Sequence, residues 1–413
     1  MLENIGKEAK KVSKIIGRAS TEQKNDALGN MARSLVENSE YILEKNQNDV
    51  INSAELNLTE TLTDRLKLDE SRVQGMADGL LKLIDLEDPV GKVEKNSLSE
   101  NGLSINKVRS PFGVVAVIYE ARPNVTSDVS GLCLKSGNAS ILRGSSYCID
   151  SNIAVLKALR EGLKASNLPQ TSIQLVEDSS RELGTALMKL DEYVDLLVPR
   201  GGKGLIQSML DNATVPYVID GDGNVHLYVH GDADSSQANR IIINSKVQRP
   251  SVCNALETLI INKSYIEKNG LQIINELEKE NVEVYVDESM SSEYPDHNIA
   301  GEEEYLTEFL DYKIAIKIVE NVDEAIDHIN EYSSGHTESI LTKDKDVAEK
   351  FSNSIDSSVV FINASTRFTD GEIFGLGAEI GISTQKLHVR GPMGLEALTC
   401  ERYIVEGNGQ IRE

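Results

Sequence analysis

The stretch SPFGVVAVIYEARPNVTSD (110–128) decides the fold. Its centre, VVAVIYEA (114–121), is an unbroken apolar run, the pattern of a strand covered on both faces; a strand with one face in water would alternate. The run ends in a polar turn containing proline, and the following residues read as a helix from about Thr126 to Lys135. A strand buried on both sides that leads directly into a helix is the first half of a βαβ unit.

The same alternation continues outward. ASILRG (139–144), SIQLVED (172–178), VDLLVPR (194–200) and VPYVID (215–220) read as strands, with helices at about 150–166, 181–190 and 202–211 between them. This regular alternation predicts parallel strands in a doubly wound sheet. Residues 1 to about 90 read as helices. The clearest is 69–86, where Val73, Met76, Leu80 and Leu83 share one face. The polar stretch KNSLSENGLSINKVRS (95–110) contains Asn-Gly and predicts a hairpin. A second unit starts near residue 229, with a helix over 233–247, the strand LETLIIN (256–262) and a helix–strand series ending near VVFIN (359–363). LTCERYIVEG reads as a late strand.

A chain of 413 residues is long enough for two or more packed units, and 40% apolar residues supply ordinary cores. The formal charge of −24 excludes the basic face a nucleic acid needs and disfavours an anionic membrane surface. No apolar run has the length of a membrane span, and the N-terminal MLENIGKEAKKVSKII is an amphipathic helix pattern without a signal-peptide core. Cys133, Cys148, Cys253 and Cys400 form no C-x-x-C pair, so neither a metal site nor a disulfide framework is expected. A reducing cytoplasm fits, and any cysteine chemistry is that of a single thiol.

Several segments carry the residue types of a catalytic site. VPRGGKGLI (198–206) lies at a strand-to-helix junction. There Gly201 and Gly202 allow close backbone approach, Arg200 and Lys203 add charge, and the helix offers free N–H groups to a phosphate. A glycine-rich turn with no ligand has the same appearance. GLGAEIG (375–381) has the wrong spacing for a dinucleotide fingerprint. Arg143, in ILRGSS, stands where NAD-preferring folds place an acid, which suits a 2′-phosphate; a solvated surface arginine is the alternative. Cys253 lies between a polar loop and an apolar strand, with Lys246 and Arg249 near in sequence to favour a thiolate; taken alone, this context fits a buried structural cysteine better. Asn124 follows the C-terminal end of a buried strand and has an amide for an oxyanion. Arg122 beside it suits an anionic group.

Taken together and in order, these blocks resemble the gamma-glutamyl phosphate reductase (glutamate-5-semialdehyde dehydrogenase) family of the aldehyde dehydrogenase superfamily. The resemblance runs from about residue 5 to the C-terminus. It is carried by SPFGVVAVIYEARPNVTSD, LRGSS, VPRGGKGLI, QRPSVCNALETLI, NASTRFTDGEIFGLGAEIGIST and HVRGPMGLEALT. VENVDEAIDHINEYSSGHTESI (319–340) also matches the family signature, with Ala325, His328, Ile329, His336, Thr337, Glu338 and Ile340 at the family spacing.

The resemblance implies an α/β, aldehyde dehydrogenase-like fold. A Rossmann-like NADPH-binding domain would take 1–94 and 110–228 with part of 375–395. A catalytic domain would take 229–374, and a small oligomerisation arm 95–109 and 396–413. It implies NADPH-dependent reduction of L-glutamyl 5-phosphate to L-glutamate 5-semialdehyde, the second step of proline biosynthesis from glutamate. Cys253 would be the nucleophile and Asn124 the oxyanion donor. Arg143, Arg200, Gly201, Gly202, Lys203 and Glu372 would hold NADPH, with Glu372 on the nicotinamide ribose. Arg122, Arg249, His336 and Arg367 would meet the substrate, with Arg390 a further candidate. His336 and Glu338 would either touch substrate or brace their loop. The arm implies a homo-oligomer, dimer or tetramer. The lability of acyl phosphates points to glutamate 5-kinase as a partner.

One departure from the wider superfamily bears on the chemistry. Hydrolytic members carry an E-L-G-G-K motif whose glutamate activates water. The corresponding stretch here is IDGDGNVHLYV (219–229), without that glutamate, although Asp220 or Asp222 is available. An acyl-phosphate reductase has no use for that water. Two rivals stand beside this reading: a hydrolytic dehydrogenase using NAD, and a nucleotide-binding regulatory protein without catalysis.

Overall fold

The computed structural model describes residues 1–55, 60–270 and 272–412; the side chains at 53–55, 60–62 and 203 lie outside the described set. The chain forms two compact units. Unit 1 comprises Met1–Ile219, Gly375–Gly381 and Met393–Glu413, and unit 2 comprises Asp220–Phe374 and Ile382–Pro392.

Unit 1 opens with helices Leu2–Ile16, Thr21–Glu37, Ser39–Glu55, Glu60–Leu66 and Glu70–Asp85. The second starts at a capping box in which Ser20 and Gln23 satisfy each other's backbone N–H groups. The fifth buries Val73, Met76, Leu80 and Leu83, the stripe read from the sequence. The predicted hairpin follows as β1 (Val93–Leu98) and β2 (Ser104–Pro111), paired antiparallel. Next come β3 (Val114–Tyr119), β4 (Ala139–Arg143), β5 (Ile173–Leu175) and β6 (Leu196–Arg200), a parallel sheet in the order β5-β4-β3-β6. Every residue of β3 is buried. Val114, Ala116 and Ile118 share a core with Leu2, Ala9 and Val12 of the first helix. Helices Asn124–Lys135, Ile149–Ala165, Arg181–Met188 and Lys203–Asn212 supply the predicted alternation. VPYVID forms no strand: its Tyr217 makes an isolated bridge to Leu197 and its Asp220 one to Ser383. The chain passes from unit 1 to unit 2 within this stretch, so no continuous ladder runs along it.

Unit 2 contains β7 (Val225–Val229), β8 (Leu256–Asn262), β9 (Glu283–Tyr285), β10 (Lys313–Val319), β11 (Thr337–Leu341) and β12 (Val359–Ile362). They form a parallel sheet in the order β12-β11-β7-β8-β10-β9. A short antiparallel pair, β13 (Ile382–Ser383) and β14 (Gly391–Pro392), completes it. One core joins Leu227, Leu256, Leu259 and Ile316 to helices Ser235–Val247 and Gln272–Lys279. A second, on Tyr228, Ile260 and Ile340, is closed by Ile329 and Phe351. The sequence boundary at residue 228 and the structural one at Ile219/Asp220 differ because β7 hydrogen-bonds to β8 and β11. The segment 375–395 is likewise shared, with 382–392 in unit 2.

The last strand, β15 (Thr399–Glu406), belongs to unit 1 and pairs antiparallel with β2 along its whole length. No described helix is long and apolar enough to cross a membrane.

Candidate active site

In unit 2, Cys253 sits on the loop between helix Ser235–Val247 and β8, just before the N-terminal end of that strand. It is half-buried, whereas Cys133 and Cys148 are buried. Burial pushes the Cys133 thiol up to about 12, so that thiol is inert. The loop around Cys253 is held by backbone and short polar side chains. Ala255 N–H donates to Val252 O, Asn254 Nδ2 donates to Thr369 O at 2.8 Å, and Thr366 Oγ1 donates to Asn254 O at 2.8 Å. Ser245 and Ser365 hydroxyls meet at 3.0 Å, and Arg367 Nε donates to Gln248 Oε1 at 2.8 Å. The segment Ser365–Asp370 is therefore a buttress for the cysteine loop.

Lys246 is not the cation beside Cys253. Lys246 is fully buried and paired with Glu257 at 2.6 Å, which corrects the expectation that it stabilises a thiolate. Arg367 takes that place. Burial lowers its basicity, the neighbouring Arg249 lowers it further, and Cys253 and Asp370 oppose both effects. Two guanidinium groups and a thiol thus share one field. Arg249 is exposed and Arg367 half-buried.

Gly223 lies against the backbone of Cys253 and was not singled out in the sequence. A Cβ there would fall 1.5 Å from Cys253 O and 2.6 Å from its Cα, so only glycine permits this backbone approach. Gly223 N–H donates to Glu308 Oε1 at 2.7 Å. This stretch corresponds to the hydrolytic motif, and it brings bare backbone against Cys253.

His336 and Glu338 are fully buried. His336 Nδ1 meets Thr337 Oγ1 at 2.8 Å, and Thr337 Oγ1 donates to Thr369 Oγ1 at 2.9 Å, which links β11 to the buttress. Burial pushes His336 down to about 4, opposed by Asp220. Glu338 Oε2 accepts His226 N–H at 2.7 Å, and its Oε1 accepts the Ser357 hydroxyl at 3.2 Å. Of the two roles open to these residues, the burial favours bracing. Glu372 is exposed, on a turn where its N–H donates to Asp370 Oδ1. Arg390 Nη2 donates to Asp356 O and pairs with its carboxylate, so it is engaged within unit 2.

In unit 1 the candidate residues gather beyond the C-terminal ends of β3, β4 and β6. Asn124 is exposed in the first turn of its helix, and its Nδ2 donates to Asp128 Oδ2 at 2.9 Å. Burial pushes the Asp128 carboxyl up to about 6, against hydrogen bonds from Asn124 and Ser127 and the charge of Arg200. The i, i+4 spacing of Asn124 and Asp128 is the signal by which the sequence reveals this pair. Arg122 is exposed, and its N–H donates to Glu120 O.

Arg143 Nη2 donates to Ser179 O at 2.5 Å and Ser180 O at 3.2 Å, while its Nε is buried without a hydrogen-bond partner. Burial lowers its basicity, opposed by Asp178. At the glycine turn, Gly202 N–H donates to Glu120 Oε1 at 3.3 Å, and a Cβ on Gly201 would lie 2.8 Å from that carboxyl group. Arg200 ends β6, Lys203 begins the following helix, and the Lys203 side chain lies outside the described residues. No group of three or more metal-ligating side chains occurs among the described residues. The segment 375–381 has Gly375 and Gly377 at positive φ and opens no helix.

Comparison with known proteins bears on the chain as a whole. The aldehyde dehydrogenase family matches residues 4–292 and 314–379. A gamma-glutamyl phosphate reductase of Clostridium botulinum (strain Eklund 17B / Type B) is 52% identical over 407 residues, covering 98% of each chain. One from Caldanaerobacter subterraneus subsp. tengcongensis is 49% identical over the same span, again covering 98% of each. The crystal structure of the Thermotoga maritima gamma-glutamyl phosphate reductase superposes with a TM-score of 0.97 at 45% identity, covering 100% of both chains. An acetylating aldehyde dehydrogenase from Geobacillus thermoglucosidasius shares the fold, with a TM-score of 0.72 at 17% identity and coverage of 100% of this chain and 97% of that one. Membership carries the family's dependence on a nicotinamide cofactor. The chain belongs to the gamma-glutamyl phosphate reductases, a branch of the aldehyde dehydrogenase family.

Proposed function

We propose that this protein reduces L-glutamyl 5-phosphate to L-glutamate 5-semialdehyde, with release of phosphate, in the route from glutamate to proline. The strongest support within the structure is the company of Cys253: a half-exposed thiol in the field of Arg367, which in turn neighbours Arg249. That pairing suits an acyl group activated by phosphate. Cys253 Sγ attacks the γ-carbonyl carbon and forms a C–S bond. The C–O bond to phosphate then breaks, and its electron pair leaves with inorganic phosphate. Asn124 donates to the oxyanion, an effect worth roughly 3–4 kcal/mol in comparable sites. A reduced nicotinamide, when bound, supplies the two-electron reduction of the resulting thioester. Cys253 then leaves as thiolate and the aldehyde is released.

The cofactor is proposed to be NADPH, in unit 1. The buried, unpartnered Nε of Arg143 is a donor that an anionic group would satisfy. Arg200, Gly201, Gly202 and Lys203 would face the phosphates, and Glu372 the ribose. Arg122, Arg249 and Arg367 are proposed to bind the substrate, while His336 braces the buttress from within. Unit 1 would be the cofactor domain and unit 2 the catalytic domain. The 95–109 and 396–413 segments would form an arm joining subunits into a dimer or tetramer. The exposed β15, paired on one side only, supports such an arm. Glutamate 5-kinase is the proposed supplier of the labile substrate, and the cytoplasm the proposed location.

The test runs the reaction in reverse. Cyclised semialdehyde and NADP are supplied, and reduced cofactor is followed with and without inorganic phosphate. Strict dependence on phosphate is expected. Equal rates without it would identify water as the thioester's acceptor and replace this function with hydrolytic oxidation.

A further inference from the structure

The most heavily invested polar cluster in unit 2 is one that the reaction does not use. Lys246 and Glu257 are each 0% exposed, one on the last turn of the helix before the Cys253 loop and the other on β8 after it. Burial pushes Glu257 up and Lys246 down, so both ions are held against their solvation preference. Their pairing closes the base of the loop that carries Cys253. The second oxygen of Glu257 accepts Leu310 N–H at 3.1 Å. Leu310 has φ 53°, a left-handed conformation that a leucine adopts only when its surroundings impose it. Two residues earlier, Glu308 accepts the N–H of Gly223, whose backbone lies against Cys253. One short loop therefore touches the ion pair at one end and the wall behind the nucleophile at the other.

We propose that Glu308 is a positioning residue for Cys253: it fixes the Gly223 backbone behind the thiol, and is itself held in place by the left-handed turn at Leu310 docked on the buried Lys246–Glu257 pair. The inference rests on Cys253 being the nucleophile. Glu308 is half-buried on a loop and belongs to none of the apolar clusters of unit 2, although its neighbour Phe309 packs on one of them. A displacement of about 1 Å at a reacting atom can cost on the order of a hundredfold in rate.

The experiment compares Glu308→Ala with Glu308→Gln in the full-length protein. The readouts are kcat, KM and the rate at which iodoacetamide alkylates Cys253, followed by peptide mass. Glu308→Ala is expected to lower kcat about tenfold. It should change the alkylation rate severalfold and leave KM within about threefold. Glu308→Gln, which keeps a carbonyl acceptor for Gly223, is expected to recover most of both. A second variant, Leu310→Gly, keeps the N–H and adopts the left-handed turn without strain, and is expected to leave kcat and alkylation close to wild type. Wild-type alkylation and kcat in Glu308→Ala would overturn the proposal. A raised KM with unchanged alkylation would overturn it too, by placing Glu308 on the substrate. Alkylation reports on the loop whether or not Cys253 acts in turnover. Turnover by Cys253→Ala would instead sink the proposed function.

Discussion

The candidate residues of unit 1 follow the C-terminal ends of their parallel strands, whereas Cys253 precedes the N-terminal end of its own. The surroundings differ as well. Arg122 and Asn124 are exposed on a loop and a first helical turn, and the hydrogen bonds shown for them are to residues within four positions in the chain. Cys253 is set by a shell of buried groups: the Asn254–Thr366–Thr369 bonds, the Gly223 backbone and the Lys246–Glu257 pair. A region that recognises ligands by charge can stay solvated and adjust. A nucleophile must be held within a fraction of an ångström. Under the proposed roles, each unit uses one of these two strategies.

The largest expected effect contrasts the two directly. Cys253→Ala is expected to lower turnover by at least about 10⁴, because no other group forms the thioester. Asn124→Ala is expected to cost only about 10²–10³ in kcat, the range for one lost oxyanion donor. Steady-state and single-turnover assays measure both. Equal losses would mean that the exposed loop of unit 1 is as tightly bound to the chemistry as the thiol.

A smaller effect isolates recognition in unit 1. Arg143→Ala is expected to weaken NADPH about tenfold and NADH by less than about twofold, since only the former has a 2′-phosphate to pair with a guanidinium. Calorimetric titration of both cofactors separates the outcomes. Equal weakening of both would reduce Arg143 to a brace for the Ser179–Ser180 backbone that it already holds.

The smallest effect concerns stability, and the two units respond to acid with opposite sign. All six histidines lie in unit 2. Burial holds His336 at about 4 and His328 at about 3, below the ordinary 6.5. Their contribution is present above pH 6.5 and is lost as pH falls toward those values. It amounts to at most about 3–5 kcal/mol each. In unit 1, Asp128 is raised to about 6 from 3.8, so its contribution is present below pH 3.8 and is lost as pH rises through 6. His336→Gln should therefore flatten the decline of Tm between pH 6.5 and 4. Asp128→Asn should raise Tm at pH 8, by roughly 1–3 kcal/mol in stability, and do nothing at pH 3.5. Thermal unfolding of each variant across that range checks the signs. The same sign in both would contradict the contrast.

The sheet of unit 1 was legible because strands buried on both faces announce themselves as apolar runs, as Val114–Tyr119 does with all six residues buried. Helix Glu70–Asp85 was legible through its stripe. VPYVID was misread because its apolar composition resembles a strand's, while it forms only two isolated bridges, Tyr217 to Leu197 and Asp220 to Ser383. The site divides along the same line. Cys253, Asn124 and the glycine turn were singled out through ordered blocks of sequence, since the local context of Cys253 or Asn124 alone favours a structural role. Lys246 was assigned by its nearness to Cys253 in the chain, yet its ammonium is held by Glu257. Arg367, which does share the field of Cys253, stands more than a hundred residues on. Gly223 and Glu308 were invisible because a close backbone approach and a loop carboxylate leave no periodicity to read.

The pairing of β15 with β2 also sets a timetable. The two strands are separated by about 300 residues, and all of unit 2 is made in the interval. At roughly 5–20 residues per second, β2 waits on the ribosome for about 15–60 s before its neighbour exists. During that time one edge of the hairpin is an open template for any strand nearby. Protection of this edge thus falls to factors outside the chain, such as chaperones or a neighbouring nascent copy, and slowing translation between residues 111 and 399 should raise aggregation more than slowing it anywhere earlier.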